Sequence, residues 1–217
     1  MFNTTKNLAF LISGAALLVT SLIDLVLMAV YITFDLDYSA WLSLFCALSG
    51  FVLFQGYLPA IRWVRRLTPT LLICAVGDLL LTPLETPVRL VMTSVKLHPL
   101  LTLLPFCSSL LLIAALSLTR QLLASSLAQE ELGAEPSKRW HLAAIALGFL
   151  LLATQGGYHY WLQHNPASQS ALATARAQYG EHFHYHMASL PLMGITPFTI
   201  VTLYDEKSIN QLHLGTL

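Results

Sequence analysis

Five long apolar stretches constrain the fold of this chain more than any other feature, because each is close to the length of a membrane-spanning helix. A helix needs about 20 mainly apolar residues to cross about 30 Å of hydrocarbon. Short polar or charged segments separate the stretches, which cover Leu8–Phe34, Ala40–Ile61, Leu67–Leu84, His98–Leu118 and Trp140–Tyr160. The sequence therefore predicts a polytopic, all-α membrane bundle of about five transmembrane helices over residues 1–161.

The composition agrees with a membrane location and excludes some partners. Hydrophobic residues make up 56% of the chain, charged residues only 10%, and the mean hydropathy is +0.66. A typical soluble domain is about one quarter charged. The formal net charge is zero, which gives no electrostatic basis for nucleic acid as a partner. The expected partners are the lipid bilayer and other membrane protein subunits or further copies of the chain.

The distribution of basic residues predicts the orientation, because cytoplasmic loops are enriched in Lys and Arg. With the N-terminus inside, the inner side carries seven basic residues: Lys6, Arg62, Arg65, Arg66, Arg120, Lys138 and Arg139. The outer side then carries four: Arg89, Lys96, Arg176 and Lys207. We therefore expect a bacterial inner-membrane protein with a cytoplasmic N-terminus and a periplasmic C-terminus. The third stretch is short and precedes an amphipathic segment, Glu85–Leu97, so a re-entrant arrangement there remains an alternative that would move the tail to the other side.

The connection between the fourth and fifth stretches has the pattern of an amphipathic surface helix. Apolar and polar residues follow one another within Thr119–Lys138, and Gly133 and Pro136 interrupt the pattern near its end. Amphipathic helices of this kind lie in the plane of the membrane surface.

After residue 161 the composition changes to that of a small extramembrane α+β domain, predicted over residues 162–217. Asn165 and Pro166 form a helix start signal and Gly180 a stop signal, which predicts a helix over Pro166–Tyr179. Alternating or β-branched segments follow and predict a three-stranded antiparallel sheet, with strands around 182–187, 198–204 and 209–214.

Two carboxylates within the apolar stretches are candidates for ion coupling. Asp24 lies in the first stretch and Asp78 in the third. Ionisable groups in a membrane are costly and mark functional sites by default. Two adjacent carboxylates would repel, so one would keep its proton near neutral pH. The alternative is a structural role, in which each Asp accepts hydrogen bonds from Ser, Thr or Gln on a neighbouring helix.

Histidines are concentrated near the C-terminus and form a candidate metal site. Alternation along the first predicted strand places three of them on one face, and a fourth ends the fifth apolar stretch: His182, His184, His186 and His159. Imidazole is a good ligand for zinc and copper, so this pattern would indicate one of these two metals, and no other cofactor is expected. The alternative is an interfacial belt of imidazole and aromatic rings at the membrane surface.

Small residues four positions apart predict smooth faces at which helices approach closely. The pairs are Ser43 with Ala47 and Ala144 with Gly148. Such faces serve packing within the bundle or docking of another membrane subunit.

No sequence motif indicates an enzyme. The chain contains no G-x-S-x-G, no Walker-type lysine loop and no dinucleotide fingerprint. The sequence favours a non-enzymatic membrane subunit or scaffold whose C-terminal domain contacts a partner. Two hypotheses remain open beside it: an ion- or proton-coupled transport component that uses Asp24 and Asp78, and a zinc- or copper-handling protein that uses the C-terminal histidines.

Overall fold

The computed structural model describes residues 4–33, 41–133, 137–189, 198–205 and 208–215. Within these residues the chain is mainly helical and ends in a small sheet. In chain order the helices are α1 Thr4–Thr33, α2 Trp41–Gln55, α3 Leu58–Glu85, α4 Val88–Leu97, α5 Pro99–Ala124, α6 Ser126–Leu132, α7 Lys138–His164 and α8 Pro166–Tyr179. The strands are β1 His184–Ser189, β2 Phe198–Tyr204 and β3 Ile209–Gly215.

Three of the described helices are long and apolar enough to cross a membrane. They comprise Leu8–Thr33 of α1, Pro99–Ala124 of α5 and Lys138–His164 of α7. Their outer faces expose large apolar side chains, among them Leu22 at 63% and Leu142 at 67%. A face of this kind is compatible with hydrocarbon rather than water as its solvent. These three helices are compatible with the predicted membrane protein, whereas the predicted number of five spans is not confirmed.

The helices that replace the second and third apolar stretches have different limits from the predicted ones. A single helix over Ala40–Ile61 is wrong, because α2 ends at Gln55 and α3 already begins at Leu58. Gly56 has φ +71 and its N–H donates to the carbonyl of Leu53, which closes α2 in the left-handed conformation that glycine tolerates. Pro59 then occupies the second position of α3, where its missing N–H costs nothing. With 15 residues, α2 is only about 22 Å long.

The amphipathic connection is likewise divided. One surface helix over Thr119–Lys138 was expected, but α5 continues to Ala124 and the separate helix α6 begins at Ser126. Ser125 is extended between them, with φ −64 and ψ 152. Gly133 ends α6 at φ +79, as its position in the sequence indicated. The other predicted amphipathic segment, Glu85–Leu97, contains helix α4.

The C-terminal elements confirm the predicted helix and the antiparallel sheet. The Asn165 side-chain oxygen accepts a hydrogen bond from the Ser168 N–H at 3.0 Å, and Gly180 ends α8 at φ +89. The strand order is β1-β2-β3, and both pairs are antiparallel. One correction concerns the first strand, which starts at His184 because residues 181–183 form the turn that follows α8. His182 therefore precedes the strand instead of belonging to it.

The described residues form two compact units, each with its own apolar core. The bundle unit comprises Met1–Val30, Tyr38–Leu79 and Leu104–Leu152, and the sheet unit comprises Tyr31–Asp37, Leu80–Leu103 and Ala153–Leu217. Fully buried side chains in the bundle unit include Leu17, Cys46, Leu53, Ile61, Leu116 and Leu123. The core of the sheet unit consists of Leu162, Ala171, Leu172, Ala175, Met187 and Val201.

Candidate functional site

The buried face of α1 carries a carboxylate and two hydroxyl groups. Ser13, Leu17, Ser21 and Asp24 are three or four residues apart, so they lie on one side of the helix. All four are buried, and Asp24 is only 8% exposed. An ionisable side chain is thus buried in the protein interior, on a helix that is long and apolar enough to span a membrane.

Two serines on other helices donate hydrogen bonds to this carboxylate. The Ser108 hydroxyl on α5 donates to Asp24 Oδ1 at 2.8 Å, and the Ser43 hydroxyl on α2 donates to Asp24 Oδ2. Both serines are buried. We call Asp24, Ser43 and Ser108 the Asp24 cluster. The two hydrogen bonds reach Asp24 of α1 from α2 and α5, so the cluster ties three helices together. A buried carboxyl group can also exchange a proton or accept a cation.

The sequence identified Asp24 but assigned Ser43 to helix packing and did not single out Ser108. A polar residue within an apolar stretch is the signal that would have found it. Three further hydroxyl groups of the bundle unit were also not singled out from the sequence. Among the described residues, the hydroxyls of Ser13, Ser21 and Thr119 are buried without a hydrogen-bond partner. The interior of the bundle unit therefore contains hydroxyl groups beside its apolar core.

The second candidate carboxylate, Asp78, lies on α3 and is partly exposed. It follows Gly77, at which an added Cβ would lie 2.2 Å from a Leu152 methyl group of α7. The α3 backbone and the Leu152 side chain of α7 are thus in close contact beside the carboxylate, although a leucine side chain could shift to admit a Cβ. That Asp24 and Asp78 act as a pair stays a prediction.

The predicted small-residue pair on α7 packs against α3 within the bundle unit. The Ala144 carbonyl accepts a hydrogen bond from the Thr70 hydroxyl at 2.8 Å. A Cβ added at Gly148 would lie 3.0 Å from the Cβ of Ile73. Ala144 is 8% exposed, so this face is already covered by the protein's own helix. On α2, Ser43 is buried in the Asp24 cluster, and Ala47 is partly exposed.

A still closer helix contact was not predicted from the sequence. A Cβ added at Gly14 of α1 would lie 2.8 Å from the Gly50 carbonyl oxygen, and one added at Gly50 would lie 2.9 Å from the Gly14 carbonyl oxygen of α1. Backbone atoms cannot move aside as a flexible side chain can. The two glycines therefore permit the direct approach of α1 and α2.

The histidines of the sheet unit fall into different surroundings. His182 is exposed and lies in the turn before β1, with its ring 4.1 Å from that of Phe183. His184 is exposed on β1, where its Nε2 lies 3.2 Å from Arg89 Nη1 and its ring 5.4 Å from that of Tyr204. A guanidinium beside an imidazole disfavours a second cation at that nitrogen.

Two of the predicted metal ligands, His186 and His159, lie near enough to influence each other electrostatically. Burial lowers the pKa of His186, and the neighbouring imidazole of His159 lowers it further. A neutral imidazole is the form that binds a metal. Within the described ranges, however, no group of three or more His, Cys, Asp or Glu side chains is arranged to hold an ion. Binding of zinc or copper by these histidines stays a prediction, which metal analysis of the purified protein would test.

Comparison with known protein families, curated proteins and solved structures finds no significant match to this chain.

Proposed function

We propose that the protein is a non-enzymatic subunit or scaffold of a larger assembly in a bacterial inner membrane, with its C-terminal helix and sheet as the contact for a partner. The observation that carries this proposal is how the sheet is attached. Leu162, near the end of the candidate span α7, belongs to the same core as Met187 and Val201. Gln163 Nε2 also donates to the Met187 carbonyl at 2.8 Å. The last residues of α7 thus belong to the packed core of the sheet unit, which suits a folded contact surface.

Co-purification at native expression level tests the proposal. Full-length protein extracted in mild detergent is expected to retain a partner in fixed stoichiometry, identified by mass spectrometry. Met187→Asp places a charge in the core of the sheet unit and should release the partner. Ser170→Asp, on an exposed position of α8, serves as the surface control and should retain it. A wild-type protein that purifies alone as a monomer would contradict the proposal.

The proposed topology has five spans, with α2 and α3 added to the three long apolar helices, a cytoplasmic N-terminus and a periplasmic C-terminus. Its support is the position of the basic residues. Arg65 of α3, Arg120 of α5 and His141 of α7 line one cavity of the bundle unit. Segments that the charge distribution assigns to the inner side therefore meet at the same end of that unit, as a cytoplasmic face requires.

Cysteine accessibility tests this orientation in a background that lacks Cys46, Cys74 and Cys107. Ser170 on α8 and Ser137 before α7 are both exposed and provide a matched pair of positions. A membrane-impermeant maleimide is expected to label a cysteine at 170 in intact spheroplasts, and to label one at 137 only after lysis. The reverse pattern would contradict the proposal, because it would place residue 170 in the cytoplasm and residue 137 in the periplasm.

A second candidate function is proton or cation coupling through Asp24, favoured by its enclosure among hydroxyl donors. Ser43 and Ser108 contact both carboxylate oxygens through neutral hydroxyls, which can donate to the charged form or accept from the protonated one. The cluster can therefore accommodate either charge state of Asp24, as proton or cation exchange requires. In proteoliposomes, Asp24→Asn is expected to abolish a pH-dependent ion flux while the protein stays folded. Flux that is equal in wild-type and Asp24→Asn protein, or absent from both, would exclude this role.

A further inference from the structure

A cavity at one end of the bundle unit is lined by basic side chains and apolar groups. It lies between α3, α5 and α7 and has a volume of about 140 Å³. Because a water molecule occupies about 30 Å³ in the liquid, the cavity has room for a tetrahedral oxyanion such as a phosphate group. Its lining residues are Arg65, Thr68, Pro69, Arg120, Leu123, Ala124 and His141.

The polar lining has the chemistry of a phosphate site. Two guanidinium groups and one imidazole face the cavity, and none of the described residues that line it is acidic. A guanidinium binds phosphate oxygens through two parallel N–H donors, and an imidazole adds a further N–H. Arg65 is partly buried, and its Nη1 donates to the Gly133 carbonyl at 3.2 Å, which restrains the side chain beside the cavity. Arg120 is exposed and remains accessible from outside.

Aromatic side chains beside the cavity indicate its depth in the membrane. The rings of Trp63 and Trp140 lie 6.2 Å apart in an edge-on arrangement. Arg66 Cζ lies 5.3 Å from the Trp63 ring centroid and 5.0 Å from that of Trp140. Both indoles are about half exposed, at 53% and 47%. Tryptophan is enriched where hydrocarbon meets headgroups, and Trp63 and Trp140 neighbour the cavity residues Arg65 and His141 in sequence.

We propose that this cavity binds the phosphate of an anionic phospholipid headgroup. The guanidinium groups and the imidazole would hold the phosphate, while Pro69, Leu123 and Ala124 contact the apolar part of the lipid. A free inorganic phosphate would gain nothing from that apolar lining. Basic pockets between membrane helices on the cytoplasmic side are a recurring arrangement for acidic lipid headgroups.

Lipid titration of the purified full-length protein in mild detergent tests the proposal. Native mass spectrometry would compare phosphatidylglycerol, phosphatidylcholine and inorganic phosphate as separate probes. We expect phosphatidylglycerol to bind about tenfold more tightly than phosphatidylcholine, the effect of a charge-assisted contact that the zwitterionic lipid makes less well. Inorganic phosphate at millimolar concentration should neither match it nor displace it.

Two substitutions locate the binding to the cavity. Arg120→Gln is expected to weaken phosphatidylglycerol binding about tenfold, and because Arg120 is exposed its loss should leave the core intact. Arg65→Lys keeps the charge but removes the planar fork and should give a smaller loss. Arg62→Gln is the matched control, since Arg62 is an exposed arginine of α3 outside the cavity lining.

Three results would overturn the proposal. Equal affinity for the two lipids would remove the role of the headgroup charge. If Arg62→Gln and Arg120→Gln weakened phosphatidylglycerol binding equally, the lipid would be attracted to the basic surface as a whole and not bound in the cavity. Displacement of phosphatidylglycerol by inorganic phosphate would assign the cavity to a small free anion. Because these measurements need no partner protein, they do not depend on the proposed assembly.

Discussion

The Asp24 cluster of the bundle unit and the Asn165 cap of the sheet unit satisfy buried polar groups in different ways. In the bundle unit the partners are far apart in sequence: Ser108 is 84 residues from Asp24, and Ala144 is 74 residues from Thr70. At the start of α8 the partners are close, since Asn165 pairs with Ser168 three residues later. The Asp24 cluster and the Thr70–Ala144 contact thus depend on how helices associate, whereas the Asn165 cap depends on a local turn.

The same contrast applies to glycine. In the bundle unit Gly14 and Gly50 are needed because another helix backbone occupies the space of a side chain. In the sheet unit a Cβ at Gly156 would meet nothing within 4 Å, and the glycine that matters, Gly180, is required by its φ of +89. Substitutions at Gly14 and Gly50 should therefore fail through contacts between helices, and those at Gly180 through local backbone geometry, as at Gly56 and Gly133 of the bundle unit.

The largest effect is expected at Asp24. Asp24→Leu leaves the hydroxyls of Ser43 and Ser108 buried without their acceptor, so we expect a loss of about 3 kcal/mol in the free energy of unfolding. Asp24→Asn keeps one acceptor oxygen and should cost less. Equilibrium unfolding in mixed detergent would measure both. Equal stability of the Leu variant and the wild type would remove the structural role of the Asp24 cluster.

The glycine contact between α1 and α2 should give the next largest effect. Gly14→Ala forces a methyl group against the Gly50 carbonyl, so we expect about 2 kcal/mol of destabilisation from overpacking. Gly156→Ala is the matched control in α7, where open space and better helix propensity should give a gain of about 0.5–1 kcal/mol. Thermal unfolding of the two variants compares them. If Gly14→Ala were as stable as Gly156→Ala, the two helices would not approach as closely as described.

Loss of the α8 cap should have a moderate effect confined to the sheet unit. Asn165→Ala removes the acceptor for the Ser168 N–H and should cost about 1 kcal/mol. Ser170→Ala, at an exposed position of the same helix, should change the stability by less than about 0.5 kcal/mol. Hydrogen exchange at the start of α8 should accelerate in the first variant only. Acceleration in the bundle unit as well would contradict the local character of the cap.

The smallest effect is expected from the titration of His186. Burial lowers its pKa in the folded protein, so between that lowered pKa and the ordinary value of about 6.5 the unfolded chain binds more protons. The stability that the neutral ring contributes is therefore present above pH 6.5 and is lost as the pH falls below it. His186→Gln removes this ring and should reduce the pH dependence of stability. An unchanged pH dependence in His186→Gln would assign it to other groups.

The elements that the sequence predicted well are those with local signals. Helix α8 has the predicted limits because Asn165 and Gly180 mark its ends. Strand β2 was predicted with its observed limits from its β-branched and aromatic residues. The break between α2 and α3 was missed because both flanks are apolar, although Gly56 and Pro59 carried a local signal for it.

Length, apolar content and caps are properties of neighbouring residues. The sequence by itself therefore determined the helices α1, α5 and α7, which are long and apolar enough to span a membrane, and the helix and sheet at the C-terminus. Only the tertiary structure decided that Asp24 meets Ser43 and Ser108, and that Arg65, Arg120 and His141 line one cavity. These partners lie on different helices. Their meeting depends on which helix faces pack together, and apolar side chains around much of each helix leave no periodic pattern that identifies those faces.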